Sequence, residues 1–210
     1  MKSLFQVCAE LISKRIFVLG PSHHLYLNKC ALPTAVNYET PVGTLKVDEN
    51  SILVFHWLKL TRWLAVAVLA KTGLFQRVTV HADEDEHSLE MQLPFIAHIM
   101  KNHDFEGIVP VIVGHIDDAY HDYGRVFAPY LADPANFFVI SSDFCHWGRR
   151  FQYQWDDGQH ARICDAIRWL DHAGMDAITT KDPDVFAYYL EKYHNTICGR
   201  NPILVLLGVC

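Results

Sequence analysis

Apolar residues in this chain fall in short runs separated by polar or turn-forming stretches, and the runs change in kind along the sequence. Residues 15–19 (RIFVL) form a compact apolar run stopped by Gly20-Pro21, which predicts a buried strand feeding a turn. Residues 41–48 (PVGTLKVD) predict a hairpin or an edge strand, and 52–72 a helix ended by Gly73. Residues 77–82 (RVTVHA) are rich in β-formers. Beyond the acidic run 83–86, Leu89, Leu93, Ile96 and Met100 share one face of a predicted helix that Pro94 would kink. A second buried strand is predicted over 108–114 (IVPVIVG), and a helix opened by Asp117-Asp118 runs to about Leu131. Residues 136–140 (NFFVI) predict a third strand. Further helices are predicted over 158–179 and from the Asp182-Pro183 cap to about Asn195. Strands alternating with helices argue for a layered α/β sheet covered on both faces. No repeat, low-complexity tract or linker interrupts the pattern, so a single domain is expected over 1–210.

One apolar stretch tests the membrane alternative. Residues 52–70 (ILVFHWLKLTRWLAVAVLA) are long enough to span a bilayer, but Lys59 and Arg62 sit in the middle. Each central charge costs roughly 2.5–3.5 kcal/mol, so a helix buried on one side is expected and no membrane span. The net charge of −6 and the lack of a Lys/Arg cluster weigh against a nucleic-acid partner. Six cysteines without a CxxC pair suit free thiols in a reducing, cytoplasmic setting. Histidine is the outlier of the composition, with 13 residues, and it is the commonest metal ligand.

The residues with chemical potential cluster after predicted strands or at helix starts, where open α/β sheets place their ligands. His23 and His24 follow the first strand; as a lone pair they are most simply a solvated turn. Asp143 and His146 follow NFFVI directly, three residues apart, and can share a pocket as metal ligands or as an oriented acid/base pair. Cys145, between them, is expected to point into packing. His194, Cys198 and Arg200 form a third group, with Cys198 a soft ligand or nucleophile and Arg200 an anion contact. A lone cysteine is more often inert and buried. His87 and Glu90 are a fourth group, although acids at 83–86 are also explained by a helix N-terminus.

Taken in order, GPSHH (20–24), DEDEHSLEMQLPF (83–95), SSDFCHWG (141–148) and KYHNTICGR (192–200) resemble the Memo family, proteins named for mediating receptor-driven cell motility. The resemblance covers most of 15–207. It implies an α/β/α sandwich with a mixed central sheet, similar to class III extradiol non-haem iron dioxygenases. It also implies His23 and Cys198 as ligands for copper or iron, with Asp143 and His146 as their acid/base neighbours. His24, His87, His194 and Arg200 would line the same pocket, on which all these groups are expected to converge. The function implied first is a signalling adaptor in the cytoplasm and nucleus. Its old dioxygenase-like pocket would take an anion or a phosphotyrosine-type peptide, for instance from a signalling receptor. The alternative is a copper- or iron-dependent oxidoreductase, and a zinc hydrolase is a third. The sequence departs from the family pattern in three places. The family's proline-histidine-alanine-glycine segment is missing upstream of GPSHH, the family continues beyond Cys210, and 51–64 reads as an insertion. A chain truncated at both ends and short of one metal ligand is therefore expected, with weakened metal affinity.

Overall fold

The computed structural model describes residues 15–48 and 65–209. The two most apolar runs become the two central strands, β1 (Arg15–Pro21) and β6 (Gly107–Val113), and every residue of both is buried. Strands covered on both faces need continuous apolar sequence rather than alternation, which is why these two are so plain in the sequence. They pair in parallel from Arg15 opposite Gly107 to Pro21 opposite Val113. On the other side of β1, β7 (Phe137–Ile140) also pairs in parallel. On the other side of β6, β2 (Cys30–Pro33) pairs antiparallel at Ala31 opposite Ile112, and in parallel with β5 (Phe75–Val78). The sheet order is β5-β2-β6-β1-β7. The α/β class and the mixed central sheet expected from the sequence are both present. Pro110 lacks a ladder donor, but it lies in a strand whose β2 side is paired at a single position. A separate hairpin joins β3 (Asn37–Thr40) to β4 (Gly43–Lys46), where a hairpin or edge strand was expected.

The chain divides into two compact units. The first, Met1–Ile116 with Pro129–Ser141, holds both sheets and the helices α1 (Ala65–Lys71), α2 (Val80–Glu84), α3 (His87–Glu90) and α4 (Leu93–Met100). The second, Asp117–Ala128 with Ser142–Cys210, is mainly helical. It takes α5 (Tyr120–Leu131) as far as Ala128, then α6 (Ile163–Thr179), α7 (Pro183–Tyr193) and α8 (Arg200–Leu207). No helix of the described residues is long and apolar enough to cross a membrane.

A buried ion pair ties the ends of three strands together in the first unit. Arg15, 7% exposed at the start of β1, bonds Asp48 at 2.5 Å beyond β4 and Glu106 at 2.6 Å before β6. In the second unit, two backbones meet at Gly124 of α5 and Gly208 after α8. A Cβ at Gly124 would lie 2.1 Å from the Gly208 carbonyl oxygen.

Several elements differ from expectation. The β-rich stretch 77–82 is only partly strand: β5 ends at Val78, and the Thr79 side chain caps α2 by accepting from the Ala82 N–H. The single helix expected after the acidic run is two helices, α3 and α4, with Pro94 in the first turn of α4, where its missing N–H has no intrahelical partner to lose. β2 was not expected from CALP, which is too short to carry a period. The helix expected from 158 begins at Ile163. The expected helix over 52–72 is present from Ala65 to Lys71; its earlier part and the insertion at 51–64 lie outside the described residues.

One buried carboxylate stands out. Asp83 on α2 is 5% exposed. Burial pushes its carboxyl above the ordinary range, against a hydrogen bond from the Tyr38 hydroxyl, and the nearby Glu84 and Glu86 charges push the same way. An acid with a raised folded value contributes stability that is present below its unfolded pKa and lost as pH rises through the folded one. Asp83→Asn, which mimics the protonated form, should therefore melt higher than wild type at neutral pH. The two should converge in acid, and thermal unfolding across the carboxylate range checks this.

Candidate functional site

The second unit brings three of the expected site residues together. Asp143 and His146 lie on the loop that follows β7, and Cys198 on the loop between α7 and α8. Among the described residues, one ligand atom from each of Asp143, His146 and Cys198 lies within 4.8 Å of the others. His146 Nε2 is 4.0 Å from Asp143 Oδ2.

The two loops are joined by their backbones. Asp143 N–H donates to Cys198 Sγ at 3.1 Å, and Gly199 N–H donates to Ser142 Oγ at 3.1 Å. His146 N–H donates to Thr196 Oγ1 at 2.7 Å, and the Thr196 hydroxyl donates back to the His146 carbonyl at 3.0 Å. The His146 ring is held by the same residue. Its Nδ1 is 2.7 Å from the Thr196 carbonyl, which can only accept, so the proton sits on Nδ1 and the Nε2 lone pair faces the carboxylate and the thiol. Imidazoles that serve as metal ligands or general bases are oriented in this way.

Beneath the loops, Asp171 of α6 accepts from the Cys145 N–H and from Asn195 Nδ2, both at 3.1 Å. Asn195, 1% exposed, also donates to the Tyr189 hydroxyl at 2.8 Å. Burial pushes the Tyr189 phenol up to about 12, so it remains a neutral donor to the Leu170 carbonyl. Burial, reinforced by the Asp171 charge, raises the Cys145 thiol against a hydrogen bond with Thr196. Cys145 is half-buried, with a thiol whose ionisation burial disfavours, and Cys198 is the thiol beside the acid and the imidazole. His194 is exposed and adopts the left-handed conformation (φ 50°) that closes α7, its N–H reaching the Leu190 carbonyl. Arg200 is exposed in the first turn of α8.

The remaining expected site residues lie in the first unit. His23 is clamped by Glu86: its N–H donates to Oε2 at 2.6 Å, and its Nδ1–H to Oε1 at 2.8 Å. Its ring stacks on His87 with centroids 4.3 Å apart, and His24 meets the edge of His87 at 6.0 Å. His23, Glu86 and His87 also carry ligand atoms within 4.8 Å of one another. Glu86 is 2% exposed. Burial raises its carboxyl, but the hydrogen bonds from His23 and Ser88 outweigh this and hold it below the ordinary range.

Sequence reasoning missed Asp171 and Thr196. Asp171 lies mid-helix among ordinary polar residues, with no local signal. Thr196 is one residue from the buried Asn195 and could have been suspected from its place in KYHNTICGR. Glu86 was noted only as one of a run of acids at a helix start. It does cap α3, accepting from the Ser88 N–H, while also holding His23.

The fold and site define a class: a mixed-sheet α/β protein that carries a carboxylate, an imidazole and a thiol on two joined loops. The family model described as Memo-like protein matches residues 2–210. Relatives named Protein MEMO1 from Xenopus laevis and Homo sapiens are 48% and 46% identical over 199 residues, 94% of this chain and 62% of each relative. Protein memo-1 homolog from Caenorhabditis elegans is 45% identical over 196 residues, 92% of this chain and 52% of that protein. The chain belongs to the Memo family, and it spans between half and two thirds of the length of these relatives.

Proposed function

We propose that this Memo-family chain binds a copper or iron ion through Cys198, His146 and Asp143, and that its activity depends on that ion. The observation that carries the reading is the convergence of three chemically different donors within 4.8 Å, two of them fixed by the Asp143 N–H and the Thr196 carbonyl. A thiolate and an imidazole suit copper, iron or zinc, and do not suit magnesium or calcium. The carboxylate, 85% exposed, is the most solvated of the three and stands at the open side of the site. Copper or iron bound there would supply one-electron exchange. The residues of this chain would hold it, present it to solvent on the Asp143 side, and keep His146 in one tautomer. His23, which the family resemblance makes a ligand, is held within the first unit by Glu86 through its backbone N–H and its Nδ1.

The test is a competitive titration with cuprous and ferrous ion of the untagged wild type, Cys198→Ala, His146→Gln and Cys145→Ala. The first two variants should bind at least tenfold more weakly, and Cys145→Ala should match wild type. Equal affinity in all four would refute the assignment.

A second reading is a signalling adaptor in cell motility, with a phosphotyrosine-type peptide as its ligand. What favours it is Arg200, an exposed guanidinium in the first turn of α8, where the N-terminal amides of the helix also attract anions. Arg200→Ala should abolish capture of a phosphotyrosine peptide if that reading holds, and should leave metal binding unchanged.

A further inference from the structure

Three hydrogen bonds run between Thr196 and His146 in the second unit. The Thr196 hydroxyl accepts from the His146 N–H at 2.7 Å and donates to the His146 carbonyl at 3.0 Å. The Thr196 carbonyl is 2.7 Å from the ring Nδ1. Joining the two loops needs only the first two bonds. The third acts on the ring, because a carbonyl has no proton to give and so selects the tautomer protonated on Nδ1. A free neutral imidazole in water prefers its proton on Nε2, so the protein opposes the intrinsic preference here. Packing does not make that choice. The His146 side chain is 28% exposed, with the Phe151 ring against it at 5.1 Å, and a half-turn of the imidazole leaves its shape nearly unchanged.

A carbonyl orients a ring only as well as it is itself held. Thr196 lies between Asn195 and Ile197, each 1% exposed. The Asn195 amide donates to Asp171 at 3.1 Å and to the Tyr189 hydroxyl at 2.8 Å. Asp171 also accepts from the N–H of Cys145, the residue before His146, at 3.1 Å. This carboxylate therefore grips the chain one position before each member of the Thr196–His146 pair. The spacing of the pair is set from a helix, α6, rather than by the loops alone. Two residues beyond Thr196, Cys198 Sγ accepts from the Asp143 N–H at 3.1 Å. One short segment thus carries the thiol and restrains both the backbone and the ring of the imidazole.

We propose that Thr196 is the positioning residue of this site: its hydroxyl fixes the backbone of His146 so that its carbonyl holds the imidazole as the Nδ1–H tautomer, with the Nε2 lone pair turned toward Cys198 and Asp143. That this nitrogen then serves a metal ion rests on the function proposed above; the positioning itself does not.

The experiment uses the full chain, metal-free, with nitrogen-labelled histidine at a pH where the imidazoles are neutral. Long-range proton–nitrogen correlation reads the tautomer of each ring, and the signal lost in His146→Gln assigns His146. Wild type should carry the His146 proton on Nδ1. Thr196→Ser keeps the hydroxyl and should match wild type. Thr196→Val, of similar shape but without the hydroxyl, should shift the population toward Nε2–H and speed exchange of the His146 amide. Thr196→Ala is read beside it and should move the tautomer the same way, so the test survives if the valine variant does not fold. Titration with cuprous ion should show wild-type affinity in Thr196→Ser and a loss of about tenfold or more in Thr196→Val, the cost of removing a group that orients a ligand. The proposal is overturned if wild-type His146 carries its proton on Nε2, or if Thr196→Ser shifts as Thr196→Val does. It is overturned equally if the valine and alanine variants melt lower but keep the wild-type tautomer, as a simple staple between loops would. If wild type binds no cuprous ion, the metal reading fails and the tautomer series alone decides the positioning.

Discussion

Arg15→Met is expected to destabilise the protein by about 3–5 kcal/mol, the range for removing one partner of a buried charge pair. Arg15 is 7% exposed and Asp48 4% exposed, so the substitution leaves the Asp48 carboxylate buried without its 2.5 Å partner, and Glu106 loses its 2.6 Å contact. The cost comes from the buried anions losing a cationic neighbour rather than from the bond itself, since a buried pair can be nearly neutral against an apolar replacement of all its members. The triple variant Arg15→Met, Asp48→Leu, Glu106→Leu should accordingly recover much of the loss. Chemical denaturation of the two variants beside wild type checks both halves. A single substitution costing under about 1 kcal/mol, the scale of a surface pair, would show that the charges are solvated.

Gly124→Ala is the second large effect, and it arises from backbone approach. The added Cβ would sit 2.1 Å from the Gly208 oxygen and 2.4 Å from its carbonyl carbon, which no side-chain rotation can relieve. The last turn of α8 must move away from α5, and Gly208 is itself constrained, because a Cβ there would lie 2.7 Å from the Tyr120 carbonyl oxygen. Overpacking of this kind costs typically about 1–3 kcal/mol and more where backbone must shift. Gly73→Ala is a useful contrast, since its strain comes from a φ of 76° with open space around it. Gly124→Ala should lower the thermal midpoint and also loosen the 194–199 loop that leads into α8, visible as faster amide exchange.

The parts of this fold that were legible in the sequence are those where one physical requirement dominates. RIFVLGP and GIVPVIV are buried on both faces, so they are apolar throughout and no period is needed to find them. Asp182-Pro183 pairs a cap with a first-turn proline, and α7 begins there. β2 escaped because four residues carry no period, and its place in the sheet is set by β5 and β6, which are distant in sequence. The boundary at Thr79 escaped because RVTVHA has strong β propensity throughout. What ends the strand is the Thr79 hydroxyl, whose bond to the Ala82 N–H gives the backbone a helical alternative.

The candidate site divides in the same way. Asp143 and His146 drew attention in the sequence because polar groups directly behind an apolar strand have few structural explanations, whereas Cys198, as a lone cysteine, read as more often inert and was singled out by the family resemblance. The groups that hold them were not. Asp171 reaches the site across 26 positions to Cys145 and 24 to Asn195, and such a bond exists only once the chain is folded. The sequence also cast Asp143 and His146 as neighbours of a metal held by others. In the second unit they stand beside Cys198 as candidate ligands in their own right.

The central claim is that Cys198 is the sulfur donor of a metal site completed by His146 and Asp143. The most direct measurement is the absorption spectrum during anaerobic titration with cupric ion, because a thiolate bound to copper gives an intense sulfur-to-metal charge-transfer band. Wild type and Cys145→Ser should develop the band to one equivalent. Cys198→Ser should not develop it at all, and His146→Gln should shift it. A band that persists in Cys198→Ser, or that vanishes in Cys145→Ser, would contradict the account.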